Sequence, residues 1–190
     1  MKLNAAFYTG TNTLGIARNL LGKILFTKIN GVTTGGIITE TEAYLGITDR
    51  ASHAYGGRFT ERTSAMYLEG GVSYVYLCYG IHSLFNVVTN VAGVPHAILI
   101  RSIIPYAGEQ EQCRRRGISE AVPQAFRGPG KVTQALGIDT SMTRLNLRGN
   151  TIWIEDSHKR IKKSAISATP RVGVEYAGPD ALLPYRFLLG

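Results

Sequence analysis

Residues 73–90, SYVYLCYGIHSLFNVVTN, decide much of the fold of this chain. On both sides of Tyr79-Gly80 the side chains alternate in type, which is typical of strands whose two faces have different neighbours. The short stretch 79–82 between the two runs predicts a tight turn. The segment is therefore predicted to form a β-hairpin. Tyr74, Tyr76 and Cys78 share one face of its first arm, and Leu84, Asn86 and Val88 share one face of its second.

Further strands are predicted on either side of this hairpin. The run KILFTK (23–28) alternates as a strand, and Asn30-Gly31 predicts a hairpin turn after it. The return strand GGIITETE (35–42) has Glu40 and Glu42 on one face, because strand side chains alternate with a period of two. The run HAILIRSIIP (96–105) is a third strand, and its residues Ala97, Leu99 and Arg101 share a face.

The remaining elements predict an α+β class. Asn12 or Thr13 can cap a helix that ends at Gly22, and GEQEQCRRRG (108–117) and GKVTQALG (130–137) predict two more helices. TIWIED (151–156), RVGVEY (171–176) and PYRFLLG (184–190) are predicted as late strands. We expect a single domain over residues 1–190, with a curved antiparallel sheet, flanking helices and a protruding hairpin.

The composition places the chain among globular proteins. It has 190 residues, 44% of them hydrophobic, and a mean hydropathy of +0.01. No apolar run reaches the ~18–20 residues of a membrane span, and the first residues lack the apolar core of a signal peptide. Cys78 and Cys113 do not make a disulfide framework. We expect an intracellular, monomeric protein, in the cytoplasm or nucleoid if it is bacterial.

The charge balance favours a polyanionic partner. The 21 Lys and Arg residues exceed the 13 Asp and Glu residues, and the formal net charge is +8. A surplus of this kind is typical of proteins that bind nucleic acid. Two basic clusters, at 114–116 and 158–163, could follow phosphates, although solvated surfaces explain such clusters equally well.

Several familiar motifs are missing from the sequence. The stretch FRGPGKVT is not a P-loop, because Ala125 and Val132 occupy the positions of its first Gly and its Ser or Thr. A glycine-rich helix start with Lys131 could still hold one phosphate. The histidines and cysteines lack the spacing of a metal site, and no G-x-S-x-G elbow is present. We expect no cofactor and no metal.

What remains is a set of polar and aromatic residues on neighbouring strands. Glu42, Tyr44, Tyr76, Asn86 and Arg101 could converge near one end of the sheet. Such a set can grip a flat heteroaromatic ring and activate water with a carboxylate. Each tyrosine could instead simply pack the sheet, since tyrosine is common in strands. The alternation alone does not distinguish Glu40 from Glu42 as the functional carboxylate.

The hairpin tip has chemistry of its own. An aromatic residue beside a short turn is expected to be exposed, which weakens a purely structural explanation for Tyr79. An exposed Tyr-Gly-Ile tip on a basic protein suggests a wedge that enters a DNA groove and replaces a base in the stack.

These same residues carry a resemblance to a known family. ETEAYLGITDRASHAYGGR (40–58), SYVYLCYGIHSLFNVV (73–88) and AILIRSIIP (97–105) strongly resemble the alkyladenine DNA glycosylases, also called 3-methyladenine DNA glycosylases of the methylpurine type. The similarity continues through ARNLLGKIL, GPGKVTQALGI, TPRVGVEYAG and PYRF, and so covers almost the whole chain in order. It implies a monofunctional, metal-free enzyme. Such an enzyme flips a damaged purine from duplex DNA and hydrolyses its N-glycosidic bond.

The resemblance also implies roles for individual residues. Glu42 would be the general base, with Arg101 and the main chain at Val172 holding the attacking water, and Glu40 would be structural. Tyr44 and Tyr76, with His53 on the far side, would sandwich the flipped base. The other implied contacts are Asn86 at the purine edge, Tyr79 and Ile81 at the intercalating tip, and Arg58, Arg62 and Lys131 at phosphates.

The sequence departs from the family pattern at two places. Ile81 follows the Tyr-Gly tip where family members usually carry Met, and Thr63 follows the second arginine where they commonly carry Asn. Two other interpretations use the same residues. A non-catalytic or RNA-directed binding module would use the basic surface and the stacking tyrosines without needing Glu42 beside Arg101. A metal-dependent nuclease would need a set of metal ligands, and the sequence shows none with the expected spacing.

Overall fold

The computed structural model describes residues 1–158 and 160–190, so Lys159 of the second basic cluster lies outside the described residues. The helices are α1 (Ala5–Thr9), α2 (Thr13–Leu20), α3 (Glu109–Arg116) and α4 (Pro129–Leu136). The strands are β1 (Ile24–Ile29), β2 (Val32–Tyr44), β3 (Ser73–Cys78), β4 (His82–Thr89), β5 (His96–Ala107), β6 (Ile152–Glu155), β7 (Ile166–Thr169) and β8 (Arg186–Leu189). Short 3-10 turns fill much of the rest of the described chain, and none of its helices is long and apolar enough to cross a membrane.

All eight strands of the described residues belong to one antiparallel sheet. Its main order is β3-β4-β5-β2-β1-β6, and β8 joins it by pairing with β2 and β7. The long strand β2 pairs with β1 over its first part and with β8 over Glu40–Glu42, so it changes partner midway. The predicted class, an α+β fold with a curved antiparallel sheet and flanking helices, is confirmed.

A double irregularity bends the sheet where β2 changes partner. Ile38 pairs with Ile103 and Glu40 with Ser102, but Thr41 pairs with Ile100. Thr39 on β2 and Arg101 on β5 therefore have no partner in the register, and bulges of this kind bend and twist a strand. The carbonyl of Arg101 instead accepts the Gly128 N–H at 2.8 Å. Arg101 thus leaves the regular ladder at the position where its side chain bonds to Glu40 and Glu42.

The two faces of the central strands have different neighbours, as their alternation predicts. Phe85, Val87, Ile98 and Ile100 belong to the main core, which also includes buried residues of α2 and α4. Alternate residues on the other face, among them Val88 and Ala97, form a smaller cluster under the loop after β2. The sheet therefore separates a dry core from a second face on which a site can be built.

The hairpin of β3 and β4 is confirmed, with a slightly shorter tip than predicted. Cys78 pairs with His82, so His82 belongs to β4 and the tip is Tyr79-Gly80-Ile81. Tyr79 has φ of 50° and Gly80 has φ of 72°, which gives the tip two residues in the left-handed region. A tyrosine rarely adopts this conformation. The turn holds the backbone of Tyr79 in it, and the residue is 90% exposed.

Most predicted elements are confirmed, including the turn at Asn30-Gly31, the helix caps at Asn12 and Gly137, and the strands in TIWIED and PYRFLLG. The prediction of a strand in RVGVEY is wrong. This stretch is an irregular segment that leads into a 3-10 turn at Glu175–Leu182, and Gly173 in it has φ of 71°. The sequence analysis also missed α1 and β7.

Candidate active site

A cavity of about 390 Å³ lies on the second face of the sheet. It is bounded by the β3–β4 hairpin, the loop after β2 and the irregular segment at 172–176. Among the predicted site residues, those that line it are Tyr44, His53, Arg62, Tyr76, Tyr79, Asn86, Arg101 and Val172. The fold therefore brings together residues from five separate stretches of the sequence.

Glu42 lies directly behind this lining and has no exposed side-chain surface. Its Oε2 accepts hydrogen bonds from the Tyr44 hydroxyl at 2.9 Å and from Arg101 Nη1 at 3.3 Å. Its Oε1 accepts the Val172 N–H at 2.8 Å. All three donors belong to residues that line the cavity, so the carboxylate is one contact away from it.

Glu40 has a different set of partners, although it shares Arg101 with Glu42. Its Oε1 accepts hydrogen bonds from Arg101 Nε at 2.9 Å and from Arg186 Nε at 2.6 Å. Two carboxylates and two guanidinium groups therefore balance in charge at the bend of the sheet. Glu40 is held between two arginines, whereas Glu42 has one arginine and two neutral donors.

The surroundings of Glu42 act on its pKa in opposite directions. Burial is the largest effect and raises the pKa above its ordinary value of 4.5, because it disfavours the charged form. Arg101, the Val172 N–H and the Tyr44 hydroxyl oppose this effect, and the neighbouring Glu40 adds to it. The net result is a raised pKa, which makes the carboxylate a stronger base than an exposed glutamate.

Aromatic side chains form the walls of the cavity. The His53 ring packs edge to face on Tyr76, with centroids 4.6 Å apart, and its Nδ1 lies 2.8 Å from the Tyr74 hydroxyl. Burial, with Arg62 and Arg58 nearby, lowers the pKa of His53 to about 4. The imidazole is therefore neutral at pH 7. Burial also raises the pKa of Tyr44 and of Tyr76, so both phenols are protonated.

Arg62 and Asn86 also face the cavity. The Arg62 guanidinium lies 4.8 Å from the Tyr76 ring centroid, and its Nη2 is 3.5 Å from His53 Nε2. Asn86 is buried, and its Nδ2 donates to the carbonyls of Tyr74 at 3.1 Å and Leu84 at 3.4 Å. These bonds fix the amide and leave its oxygen as the acceptor that can meet a ligand edge.

The other predicted contact residues lie outside the cavity. Ile81 is 74% exposed at the tip of the hairpin. Lys131 lies at the start of α4, where it shares a shallow depression with Tyr79, and its Nζ donates to the Gln124 carbonyl at 3.2 Å. Arg58 is exposed, and its carbonyl accepts bonds from Thr63 and Tyr67. These three surround the site without entering it.

The first basic cluster, at 114–116, makes most of its contacts within the protein. Arg114 and Arg115 both bond to Glu111 within α3, and Arg115 also donates to the Ala135 carbonyl. Arg116 bonds to Ala125 and Gln134 but also lines the depression beside Tyr79. Most of the first cluster is therefore engaged within the protein.

Sequence reasoning missed three residues of the site. Tyr74 holds His53, Tyr176 lines the mouth of the cavity while its hydroxyl donates to the Ala51 carbonyl at 3.2 Å, and Arg171 is buried beside Tyr44. The wrong assignment of RVGVEY as a strand hid the last two. Within the described ranges, no three His, Cys, Asp or Glu side chains are grouped as a metal would require.

Comparison with known proteins gives the family. The model of the methylpurine-DNA glycosylase family matches residues 6–190. Proteins of Chlamydia felis, Clostridium tetani and Bacillus cereus, each named "Putative 3-methyladenine DNA glycosylase", are 45%, 41% and 39% identical to the chain. The alignments cover 98%, 100% and 98% of this chain and 95%, 96% and 95% of those proteins.

The resemblance seen in the sequence is thereby confirmed. The chain belongs to the methylpurine-DNA glycosylase family. It is a DNA glycosylase, an enzyme that hydrolyses the bond between a base and its deoxyribose.

Proposed function

We propose that this enzyme flips 3-methyladenine and related damaged purines, including 7-methylguanine, hypoxanthine and ethenoadenine, out of duplex DNA into the cavity and hydrolyses their N-glycosidic bonds. The observation that carries the proposal is a buried carboxylate, Glu42, held by Arg101, Tyr44 and Val172 directly behind an aromatic cavity. A module that only stacked bases would gain nothing from this costly burial.

In this proposal Glu42 deprotonates the attacking water through its Oε1. A carboxylate offers about four lone pairs. Oε2 already accepts two hydrogen bonds and Oε1 only one, from the Val172 N–H. The free position is therefore on Oε1, on the side of Val172. Because the amide of Val172 is already used, its carbonyl is the main-chain group that would hold the water together with Arg101.

The negative charge of Glu42 has a second use. Cleavage of a glycosidic bond builds oxocarbenium character in the sugar, and a carboxylate close by stabilises that charge. A cationic base such as 3-methyladenine departs with little help, whereas a neutral base such as hypoxanthine needs more. His53, neutral at pH 7 because of its lowered pKa, is suited to hydrogen bonding and not to supplying a proton.

The cavity walls would hold the flipped base. Tyr44 would stack on one side and Tyr76, with His53 against its ring, on the other, while Asn86 would contact the purine edge. Tyr79 would fill the space that the base leaves in the duplex, with Ile81 beside it. Arg58, Arg62 and Lys131 would meet phosphates; Arg62 would then have to leave the Tyr76 ring, over which it lies in this structure.

A panel of lesion duplexes tests this function. Each duplex carries one of the four damaged bases, and the released base is identified by mass spectrometry while the strand is examined for an abasic site. We expect release of the free base and an uncleaved abasic strand. The proposal would be contradicted if no base were released from any duplex. It would also be contradicted if the protein bound undamaged single strands as tightly as lesion duplexes. Either result would favour a binding module.

A further inference from the structure

A buried ion pair lies beside the cavity and has no part in the roles given so far. The Arg171 side chain is fully buried, and its guanidinium grips Asp49 with two parallel bonds, Nη1 to Oδ2 at 2.5 Å and Nη2 to Oδ1 at 2.9 Å. It also donates to the carbonyls of Ala43 at 2.9 Å and Asp180 at 3.1 Å. One side chain thus joins the end of β2, the loop after it and the Glu175–Leu182 turn.

The Asp49 side of this pair organises the loop between two cavity residues. Asp49 Oδ2 accepts the Leu45 N–H at 2.9 Å, and Oδ1 accepts the Ala51 N–H at 3.0 Å. The loop therefore winds around the carboxylate, with Tyr44 before it and His53 after it. A carboxylate with this many donors is fixed in one orientation.

The Arg171 side of the pair precedes Val172, whose N–H bonds to Glu42. The Val172 side chain is 47% exposed, and Gly173 follows with φ of 71°. The Val172 side chain is too exposed to fix the Val172 amide, and Gly173 has no side chain. Arg171 is therefore the nearest residue whose side chain is buried and bonded. The guanidinium carbon also lies 4.9 Å from the Tyr44 ring centroid. Arg171 therefore adjoins two of the three donors to Glu42, Val172 in the chain and Tyr44 in space.

We propose that the Arg171–Asp49 pair is a positioning device that holds the Val172 amide and the Tyr44 hydroxyl on Glu42. The inference rests on the proposed function, in which Glu42 is the general base. Arg171 touches neither base nor water in this scheme, because it acts only through Val172 and Tyr44. A buried ion pair is weak support for stability alone, since desolvation offsets much of its attraction, and this favours a role in geometry.

The device has a consequence for the pKa of Glu42. The Val172 and Tyr44 hydrogen bonds lower that pKa, against the larger effect of burial. If the Arg171–Asp49 pair is weakened, these hydrogen bonds to Glu42 lengthen and its pKa rises further. A higher pH is then needed to ionise the base. The charged and titratable groups around Glu42 are Arg101 from β5, Glu40 and Tyr44 from β2, Arg171 before Val172, and Arg186 from β8 through Glu40.

Single-turnover excision of hypoxanthine across a range of pH tests the proposal. The variants are Arg171→Lys, which keeps the charge but loses the two-pronged grip, and the milder Asp49→Asn, which keeps the shape of the loop. We expect the acid limb of the profile to move upward by about half a unit or more. We also expect the plateau rate to fall about tenfold, while affinity for the lesion duplex stays near that of the wild type.

Arg115→Lys is the matched control. Arg115 also joins a carboxylate, Glu111, to a main-chain carbonyl, that of Ala135, but neither Arg115 nor a residue next to it in the chain bonds to Glu42. It should lower the melting temperature without moving the pH profile.

Several results would overturn the proposal. One is an acid limb and a plateau rate equal to those of the wild type in both folded variants, Arg171→Lys and Asp49→Asn. If only Asp49→Asn folds, its pH profile alone decides. The same shift in Arg115→Lys would also overturn it, because general loosening would then explain the effect. If the wild type releases no base at all, the proposed function fails and not this inference.

Discussion

The cluster around Glu42 and the hairpin tip at Tyr79 border the same cavity, but they are built in opposite ways. Glu42 has no exposed side-chain surface and accepts three hydrogen bonds, whereas Tyr79 is 90% exposed on a backbone in the left-handed region. The hydrogen bonds of Glu42 are already formed in the protein alone. The Tyr79 ring has few contacts of its own, and an exposed aromatic ring gains little until it is buried or stacked against a partner.

The contrast indicates different roles for the two regions. Preorganised dipoles and charges are useful where charge develops in a reaction, because they need no rearrangement at that moment. An exposed ring is useful where a partner must be entered. Changes in the buried cluster should therefore affect the rate of base release, and changes at the tip should affect binding and flipping.

Glu42→Gln should have the largest effect on catalysis. Glutamine keeps nearly the volume of glutamate and can still accept hydrogen bonds through its one oxygen, but it lacks the negative charge and the basic second oxygen. General-base help alone is worth ~10²–10⁴ in rate. We expect single-turnover excision of hypoxanthine to slow by at least ~10²-fold, with less loss for cationic 3-methyladenine and unchanged lesion affinity.

Glu40→Gln is the control for that experiment. Glu40 lies two residues from Glu42 on the same strand. Its substitution leaves Arg101 and Arg186 without the carboxylate that they share. We expect it to cost about 1–3 kcal/mol of stability, because charged donors are left unpaired, and to cost much less in rate. If Glu40→Gln abolished excision while Glu42→Gln remained near wild type, the assignment of the base would be reversed.

Tyr79→Ala should have the next largest effect, on flipping. Base–aromatic stacking is worth ~1–3 kcal/mol per base, so lesion affinity and the flipping equilibrium should fall roughly 5- to 150-fold. The loss should shrink for mismatched lesions, which are already partly unpaired. Fluorescence of a base analogue beside the lesion reports flipping directly. Equal losses on paired and mispaired lesions would mean that Tyr79 is not the wedge.

The rate of excision should also depend on pH through the ionisation of Glu42. Because the pKa of Glu42 is raised above 4.5, excision should fall about tenfold per pH unit below an acid limb centred above that value. The Tyr79→Ala variant should keep the same limb, since the tip does not touch Glu42. A limb at or below 4.5 would show that Glu42 is not the titrating base.

The same raised pKa predicts a small effect on stability. A carboxyl group whose pKa is higher in the folded than in the unfolded state favours folding when protonated and loses that advantage as pH rises through the folded pKa. At pH 7 ionised Glu42 therefore costs stability relative to a neutral side chain. Glu42→Gln should not lower the melting temperature at pH 7, and any gain should shrink as the pH is lowered. A clear loss of stability at pH 7 would show that its hydrogen bonds outweigh its burial.

Local patterns in the sequence were enough to predict most of the strands and the hairpin tip. The alternation in residues 73–90, the Asn30-Gly31 turn and the caps at Asn12 and Gly137 depend on neighbours along the chain, and the structure has each of them. The resemblance to a family, also present in the sequence, gave the enzyme class. The cavity contains eight of the residues that the sequence analysis selected.

Tertiary contacts give Glu40 and Glu42 their different donors. Both lie on β2, two residues apart, and alternation alone does not distinguish them. Glu40 bonds to Arg186 of β8, whereas Glu42 bonds to the Val172 N–H of the irregular segment. The Arg171–Asp49 pair joins positions 122 residues apart, and the segment that contains Arg171 had the pattern of a strand. Periodicity describes which way side chains point within one element. It carries no information about which distant carbonyl or carboxylate will lie within reach, since long-range packing determines that.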